Sequence, residues 1–171
     1  MPALLDTIDP EGLEEFSVVF TDRSLNHMSK AFQSVMCDIS SMLKEVYNAE
    51  ATVLVPGGGT FGMEAVARQF GNDADVLVVR NGWFSYRWSQ IFDASSSAKS
   101  AEVMKARQIG NDSQSAFRPA PIDEVVAKIK EHRPSIVFAP HVETSAGVIL
   151  PDDYVTQLAG AAHEVGALMV L

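Results

Sequence analysis

The chain has 171 residues and 47% of them are hydrophobic, which suits one α/β domain or part of a larger one. Its formal net charge of −9 argues against a nucleic-acid-binding surface or an anionic-membrane-binding surface, so neither partner is expected. The single cysteine, Cys37, excludes an internal disulfide. Neither a signal-peptide pattern nor an apolar run of about 20 residues is present, and a cytoplasmic protein is therefore expected.

The first 23 residues are predicted to form a solvated N-terminal arm, because acidic residues are concentrated there. Residues 24–46 then place apolar side chains three and four positions apart. This spacing predicts a long amphipathic helix, which Ser24 or Asn26 could cap. A short buried strand is predicted at residues 52–55.

The remainder of the chain predicts alternating helices and strands, each strand being an apolar run. The predicted order is helix 60–70, strand 76–79, helix 84–92, strand 103–109, loop 110–121, helix 121–132, strand 136–139, loop 141–150, helix 151–166 and strand 167–171. This alternation is typical of a three-layer α/β fold with a mostly parallel sheet covered on both faces. Functional residues of such folds lie just past the carboxyl ends of the strands.

Three glycines at positions 57–59 connect the first predicted strand to the next helix. Glycine lets backbone amides approach a ligand, and the start of a helix presents unpaired N–H groups. With the hydroxyl of Thr60, these groups could cradle a phosphate. The segment is neither a nucleotide P-loop nor a dinucleotide fingerprint, since no Gly-Lys-Ser/Thr follows and Arg80 stands where the fingerprint needs an acid. A tight turn without a ligand is the alternative interpretation.

Two further segments follow predicted strands. Residues 83–88 contain four aromatic side chains, one of which could stack on a flat heterocycle, although a core cluster at a helix start explains them equally simply. His141, Glu143 and Ser145 have the residue types of a hydrolase triad, but their alternate spacing argues against one. The spacing also lacks a recognised metal-ligand pattern, so no metal site is predicted. A polar loop is the alternative here.

In this order the three segments resemble the class V aminotransferases, a family of pyridoxal-phosphate enzymes, and within it the alanine–glyoxylate and serine–glyoxylate group. Residues 56–65 are similar to the family pattern Pro-Gly-Ser/Gly-Gly-Thr/His-x-x-x-Glu-Ala. Residues 81–87 are similar to Asn-Gly-x-aromatic-Gly-x-Arg, and residues 141–147 to His-x-Glu-Thr/Ser-Ser-x-Gly. The resemblance covers residues 22–171. It implies part of the large domain of fold type I, pyridoxal 5'-phosphate as cofactor, an amino acid and a 2-oxo acid as substrates, and a homodimer.

The resemblance also implies roles for particular residues. The cofactor phosphate would be held at the glycine turn, the pyridine ring would stack on an aromatic residue, and a hydroxyl residue would lie near the ring's phenolic oxygen. The residues that match these roles are, in that order, Gly58, Gly59 and Thr60, then Phe84, then Thr144. Trp83 and His141 would be near the site.

The sequence departs from the family in three respects, one of which is that residues 6–20 lack the family's Gly-Pro-rich segment. Ser85 stands where the family has glycine. The family's ring-nitrogen aspartate and Schiff-base lysine follow the strand predicted at 167–171, and the six lysines of this chain lie in other settings. We therefore expect residues 24–171 to be a large domain that is incomplete at its C-terminus, without transamination by this chain alone.

Three alternatives are open at this point. One is a non-catalytic truncated homologue, or a half-site that associates with a second chain. Another is a nucleotide-binding α/β protein of a different family, which depends on the glycine turn alone. The third is a related lyase on the same fold.

Overall fold

The computed structural model describes His27 and residues 30–171. They fall into two compact units, separated along the chain between Leu54 and Val55. The first unit contains helix α1 (Lys30–Tyr47), which confirms the predicted amphipathic helix over its described part. The hydroxyls of Ser40 and Thr52 lie 2.8 Å apart in a hydrogen bond and hold the segment after α1 against it. The predicted N-terminal arm and the predicted caps of this helix lie outside the described residues.

The strand predicted at residues 52–55 is wrong. These residues belong to none of the sheets of the described structure, and the side chain of Val53 is 84% exposed. A short apolar run forms a strand only where a neighbouring backbone supplies hydrogen-bond partners. Periodicity cannot reveal whether such a neighbour is present.

The second unit alternates helices and strands in the predicted order. Its elements are α2 (Gly59–Phe70), β1 (Asp75–Arg80), α3 (Trp83–Ser95), β2 (Ser100–Lys105), β3 (Arg107–Gln108), β4 (Phe117–Arg118), α4 (Ile122–His132), β5 (Ile136–Phe138), β6 (Val142–Glu143), β7 (Val148–Ile149), α5 (Asp152–Glu164) and β8 (Leu168–Val170). The predicted helices and the longer predicted strands of this unit are all present, with bounds shifted by a few residues.

Four of these strands form the main sheet, in the order β2-β1-β5-β8, and every neighbouring pair is parallel. In the shared register, Val78 of β1 lies opposite Val103 of β2 and Phe138 of β5. The central strands β1 and β5 are buried, whereas β2 at the edge is half-buried or exposed. The predicted mostly parallel sheet is therefore confirmed.

Both faces of the sheet are covered, which confirms the three-layer architecture. Because successive side chains of a strand point to opposite faces, β1 contributes to two separate cores. Leu77 and Val79 pack with buried residues of α4 and α5. Val76 and Val78 pack on the other face with buried residues of α2 and α3.

Three boundaries differ from the sequence prediction. The strand predicted at 103–109 divides at Ala106, whose N–H donates to the carbonyl of Arg80 at 2.8 Å. The loop predicted at 110–121 contains β4, which pairs antiparallel with β3, and the loop predicted at 141–150 contains the whole antiparallel ladder of β6 with β7. Ladders two residues long are too short to leave a recognisable period in the sequence.

In the part of the chain that the structure describes, no helix has the length and apolar character needed to cross a membrane.

Phe138 offers a test of this core. Its ring is fully buried, with centroids 4.5 Å from the ring of Trp88 and 5.4 Å from the ring of Phe92. We expect Phe138→Ala to lower the free energy of unfolding by about 3–5 kcal/mol, because it removes apolar contacts and leaves a cavity. Urea denaturation measures the change. Phe117→Ala is the matched control, since Phe117 is 47% exposed, and an equal loss in both variants would contradict this packing.

Candidate functional site

A cavity of about 280 Å³ lies at the carboxyl edge of the main sheet. Its volume is just below the roughly 300–1,000 Å³ that is typical of ligand pockets. Helices α2 and α3 and the segment after β5 contribute most of its wall. The lining residues are Met63, Phe84, Ser85, Trp88, Ala139, Pro140, His141, Val142 and Leu171. The cavity is thus largely apolar and lies where open α/β sheets bind ligands.

The carboxylate of Glu143 is buried at the amino end of α3. The backbone N–H groups of Phe84 and Ser85 donate to its two oxygens at 3.1 and 2.9 Å. The hydroxyls of Ser85 and Ser145 donate to it at 2.6 and 2.5 Å. A negative charge at this position also interacts favourably with the helix dipole. Glu143 therefore caps α3 from a different segment of the chain.

Ser85 and Ser145 extend this contact to the backbone before α3. The Ser85 hydroxyl oxygen accepts the N–H groups of Asn81 and Gly82 at 2.8 and 3.1 Å. The Ser145 hydroxyl oxygen accepts the N–H of Trp83 at 2.7 Å. The three side chains together satisfy the backbone donors of residues 81–85.

Position 82 requires glycine, because the side chains of Glu143 and Ser145 lie close to its backbone. A Cβ at Gly82 would lie 2.6 Å from the Ser145 oxygen and 2.7 Å from Cγ of Glu143. Both distances are far below van der Waals contact, so any side chain would push the capping groups away. Gly82 thus allows the segment of residues 141–147 to dock on the first turn of α3.

The surroundings of Glu143 control its ionisation. Burial acts to raise the pKa of the carboxyl, but the hydrogen bonds from Ser145, from Ser85 and from the N–H of Phe84 outweigh it. The pKa of Glu143 therefore lies below its usual value of 4.5. The residue is an ionised structural cap at neutral pH, and not a proton donor.

The amino end of α2 differs from that of α3. Gly58 is the residue at the cap position of α2, and no side chain caps it. Among the described residues, no heavy atom outside the turn's own neighbouring backbone lies within 4 Å of a Cβ built on Gly58 or on Gly59, so these residues leave space beside the turn. The N–H of Phe61 donates to the carbonyl of Gly58 at 2.9 Å, which leaves the N–H groups of Gly59 and Thr60 at this turn to donate to a bound anion.

The structure brings together some of the predicted site residues and not others. Phe84, which is 51% exposed, and His141 line the cavity. The neighbouring Trp83 faces a second cavity. The glycine turn with Thr60 and the exposed Thr144 are not part of the cavity wall. Their roles as phosphate and ring ligands stay predictions.

Sequence reasoning did not find the capping group. From the sequence alone, Glu143 and Ser145 are candidates for a catalytic triad or for a polar loop, Glu143 is also a candidate metal ligand, and Ser85 is a departure from a family pattern. The alternate spacing of Glu143 and Ser145 was the one available signal, since neighbouring polar residues of a tight loop can face the same helix end.

The side-chain amide of Asn81 is also buried and has no partner in the described part of the chain, and we have no physical account of this.

The comparisons with known proteins find similarity at the level of the fold. No family model matches the sequence, and no curated protein is significantly similar to it in sequence. Among solved structures, alanine–glyoxylate aminotransferase from Nostoc sp. is 26% identical with a TM-score of 0.65, over 85% of this chain and 36% of that one. Ureidoglycine–glyoxylate aminotransferase from Bacillus subtilis is 23% identical with a TM-score of 0.67, over 85% and 35%. Pyridoxamine–pyruvate aminotransferase from Mesorhizobium loti is 17% identical with a TM-score of 0.68, over 86% and 35%.

These structural neighbours are class V aminotransferases, and the predicted resemblance is confirmed. The fold is that of part of the large domain of these enzymes. The 171 residues span only about a third of the length of each neighbour, since the shared part is 35 or 36% of those chains.

The pKa of Glu143 gives a pH-dependent stability. Because that pKa is lower in the native state than in the unfolded chain, Glu143 binds a proton less readily in the native state than in the unfolded state when the pH falls. The contribution of Glu143 is fully present above about pH 4.5 and is lost as the pH falls through the native pKa. We expect Glu143→Gln to lower the free energy of unfolding at pH 7 by about 1.5–3 kcal/mol and to flatten the decline in acid. Urea midpoints between pH 7 and pH 3 measure both effects. The exposed Glu102→Gln is the control, and a Glu143→Gln curve parallel to the wild type would refute this assignment.

Ser85 provides a second test of the same contact. Ser85→Ala leaves the N–H groups of Asn81 and Gly82 without their acceptor, which we expect to cost about 1–3 kcal/mol. Combined with Glu143→Gln, the losses should be less than additive, because both variants break the same hydrogen bond. A double-mutant cycle from urea denaturation measures the coupling. Strict additivity would mean that the two side chains act independently.

Proposed function

We propose that this chain forms part of a pyridoxal-phosphate-dependent aminotransferase, which transfers an amino group from an amino acid to a 2-oxo acid. The observation that carries the proposal is the cavity at the carboxyl edge of the sheet, which has Phe84 and His141 in its wall. It occurs within a fold whose solved neighbours act as aminotransferases. By analogy with the family, the chain pairs with a second copy of itself.

The phosphate of the cofactor would bind at the amino end of α2. Gly58 and Gly59 carry no side chain that would cover the amides of Gly59 and Thr60, and no side chain of the described residues caps this helix end. Thr60 adds a hydroxyl donor at the same turn. The combination supplies several N–H and O–H donors without a cationic side chain, which suits a phosphate in a chain of net charge −9.

The ring of the cofactor would stack on Phe84. This side chain is half exposed at the start of α3, and Glu143 holds its backbone N–H in place. An exposed aromatic face at a held backbone position suits a flat heterocycle, because the two rings can stack on each other. In the same proposal Thr144 lies near the phenolic oxygen of the ring, and Trp83 and His141 flank the site.

When bound, pyridoxal phosphate supplies an aldehyde that takes up an amino group and a ring that stores electrons. The residues of this chain would bind and orient it: a helix end for the phosphate and an aromatic face for the ring. None of the residues that line the cavity is a lysine. The expectation that the 171 residues do not carry out transamination alone stays a prediction.

Cofactor binding tests the proposal. We expect pyridoxal phosphate to bind the chain saturably, and Phe84→Ala to weaken binding roughly tenfold through loss of the stacking surface. The visible absorption spectrum of the cofactor measures binding. Phe117→Ala is the matched control, because Phe117 lies on β4 and outside the cavity wall. Equal affinity of the wild type and Phe84→Ala would refute the proposed ring site.

A second measurement tests the expectation about lysine. After incubation with pyridoxal phosphate, the chain is reduced with borohydride and its lysines are mapped by mass spectrometry. We expect no lysine to be labelled selectively. Selective labelling of one of the six lysines would contradict the expectation and would place the reactive centre at that residue.

A further inference from the structure

A second cavity of about 270 Å³ lies beside the first turn of α3, and it is lined by Arg80, Gly82, Trp83, Tyr86, Lys105 and Ala106. We propose that this cavity binds a small doubly negative oxyanion, either a phosphate monoester or a dicarboxylate, through Arg80 and Lys105. Only Trp83 of these residues enters the proposed cofactor site. The proposal therefore stands independently of the proposed function.

The strand register brings the two cations together. Arg80 and Lys105 are paired positions at the carboxyl ends of β1 and β2. Paired residues of neighbouring parallel strands lie on the same face, and here it is the face of Val78, which packs with α3. Like charges placed directly opposite each other are destabilising. A bound anion would remove this repulsion.

No carboxylate of the described structure neutralises the pair. The ion pairs found there involve five other cations, namely Arg68, Lys99, Arg107, Lys128 and Lys130. Glu102, the acidic residue of β2, has the same orientation as Met104, which packs on the opposite face of the sheet. The positive charge of the cavity is therefore available to a ligand.

The contacts of Arg80 are with neutral groups. Its guanidinium carbon lies 4.9 Å from the centre of the Tyr86 ring, and its Nη1 donates to the hydroxyl of Ser89 at 3.4 Å. These contacts orient the guanidinium without cancelling its charge. The rings of Trp83 and Tyr86 lie 5.8 Å apart and give the cavity an apolar wall for the carbon skeleton of a ligand.

The charge of the cavity favours a small dianion. Two cations balance the charge of about −2 on a phosphate monoester or a dicarboxylate. The chain as a whole carries a net charge of −9, which repels an extended polyanion. A compact ligand can reach the two cations without meeting the acidic remainder of the surface.

Titration followed by nuclear magnetic resonance tests the proposal on the 171-residue chain. Inorganic phosphate and succinate represent the two sources of the dianion, and sodium chloride at matched ionic strength corrects for screening. The two tryptophans give separate indole N–H signals. Trp83 lines the cavity and is 58% exposed, whereas Trp88 is buried in the core. We expect phosphate, succinate or both to shift the Trp83 signal saturably, and sodium chloride to leave it in place.

Matched variants locate the binding. Lys105→Gln should weaken binding about tenfold, because it removes one charged contact, and Lys105→Arg should preserve it. Lys99→Gln removes the same charge at the opposite end of β1 and β2, where Lys99 pairs with Asp75, and should leave the affinity unchanged. Lys105 is exposed, and superimposable amide spectra will verify that its variants fold.

Three outcomes would overturn the proposal. The first is the absence of a saturable Trp83 shift with either anion. The second is equal weakening in Lys105→Gln and Lys99→Gln, which would indicate a general charge effect. The third is a phosphate-induced shift that persists in Lys105→Gln and disappears in Thr60→Ala, which would assign it to the amino end of α2. Phosphate alone, succinate alone or both binding with the expected Lys105 dependence supports the proposal and identifies the source of the dianion.

Discussion

The buried carboxylate of Glu143 is the contact on which the arrangement of the site depends. It accepts four hydrogen bonds from the first turn of α3 and from Ser145, and it fixes two loops that follow neighbouring strands of the sheet. A charge placed in such an environment is tolerable only because donors surround it. Loss of the carboxylate oxygens would leave several buried N–H and O–H groups without an acceptor. Satisfying these donors therefore keeps the loop of residues 141–147 against the helix.

The same helix turn separates two chemically different cavities. Phe84 contributes to a mostly apolar cavity, whereas Trp83 contributes to a cavity with two uncompensated cations. Because Ser145 and Glu143 hold the backbone N–H groups of Trp83 and Phe84, both side chains leave the helix from backbone positions that these contacts fix. One capped turn thus supports a candidate ring site on one side and a candidate anion site on the other. The two ligands would occupy separate spaces, although they would share one rigid wall.

The sequence predicted the order of elements in residues 59–171 well, because buried parallel strands and amphipathic helices leave distinct hydrophobic periods. It failed at residues 52–55, where an apolar run has no strand partner, and it could not resolve ladders of two residues. Phe84 and His141 could be placed at the sheet edge from their positions after strands. The pairing of Arg80 with Lys105 could not be predicted from the sequence, since it depends on the register of two strands whose paired residues are 25 positions apart. The Glu143 cap likewise depends on a tertiary contact.

The capped turn also bears on the order in which the chain folds. Glu143 lies 58 and 59 positions along the chain from the two amides that it caps. Ser85 caps the backbone before α3 locally, but the N–H groups of Phe84 and Ser85 obtain their acceptor only when the sheet has brought β5 beside β1. Contacts of such long sequence separation form slowly, because the intervening chain must first be ordered. Hydrogen exchange at Phe84 and Ser85 therefore reports the assembly of the sheet edge, and not the intrinsic helicity of the segment.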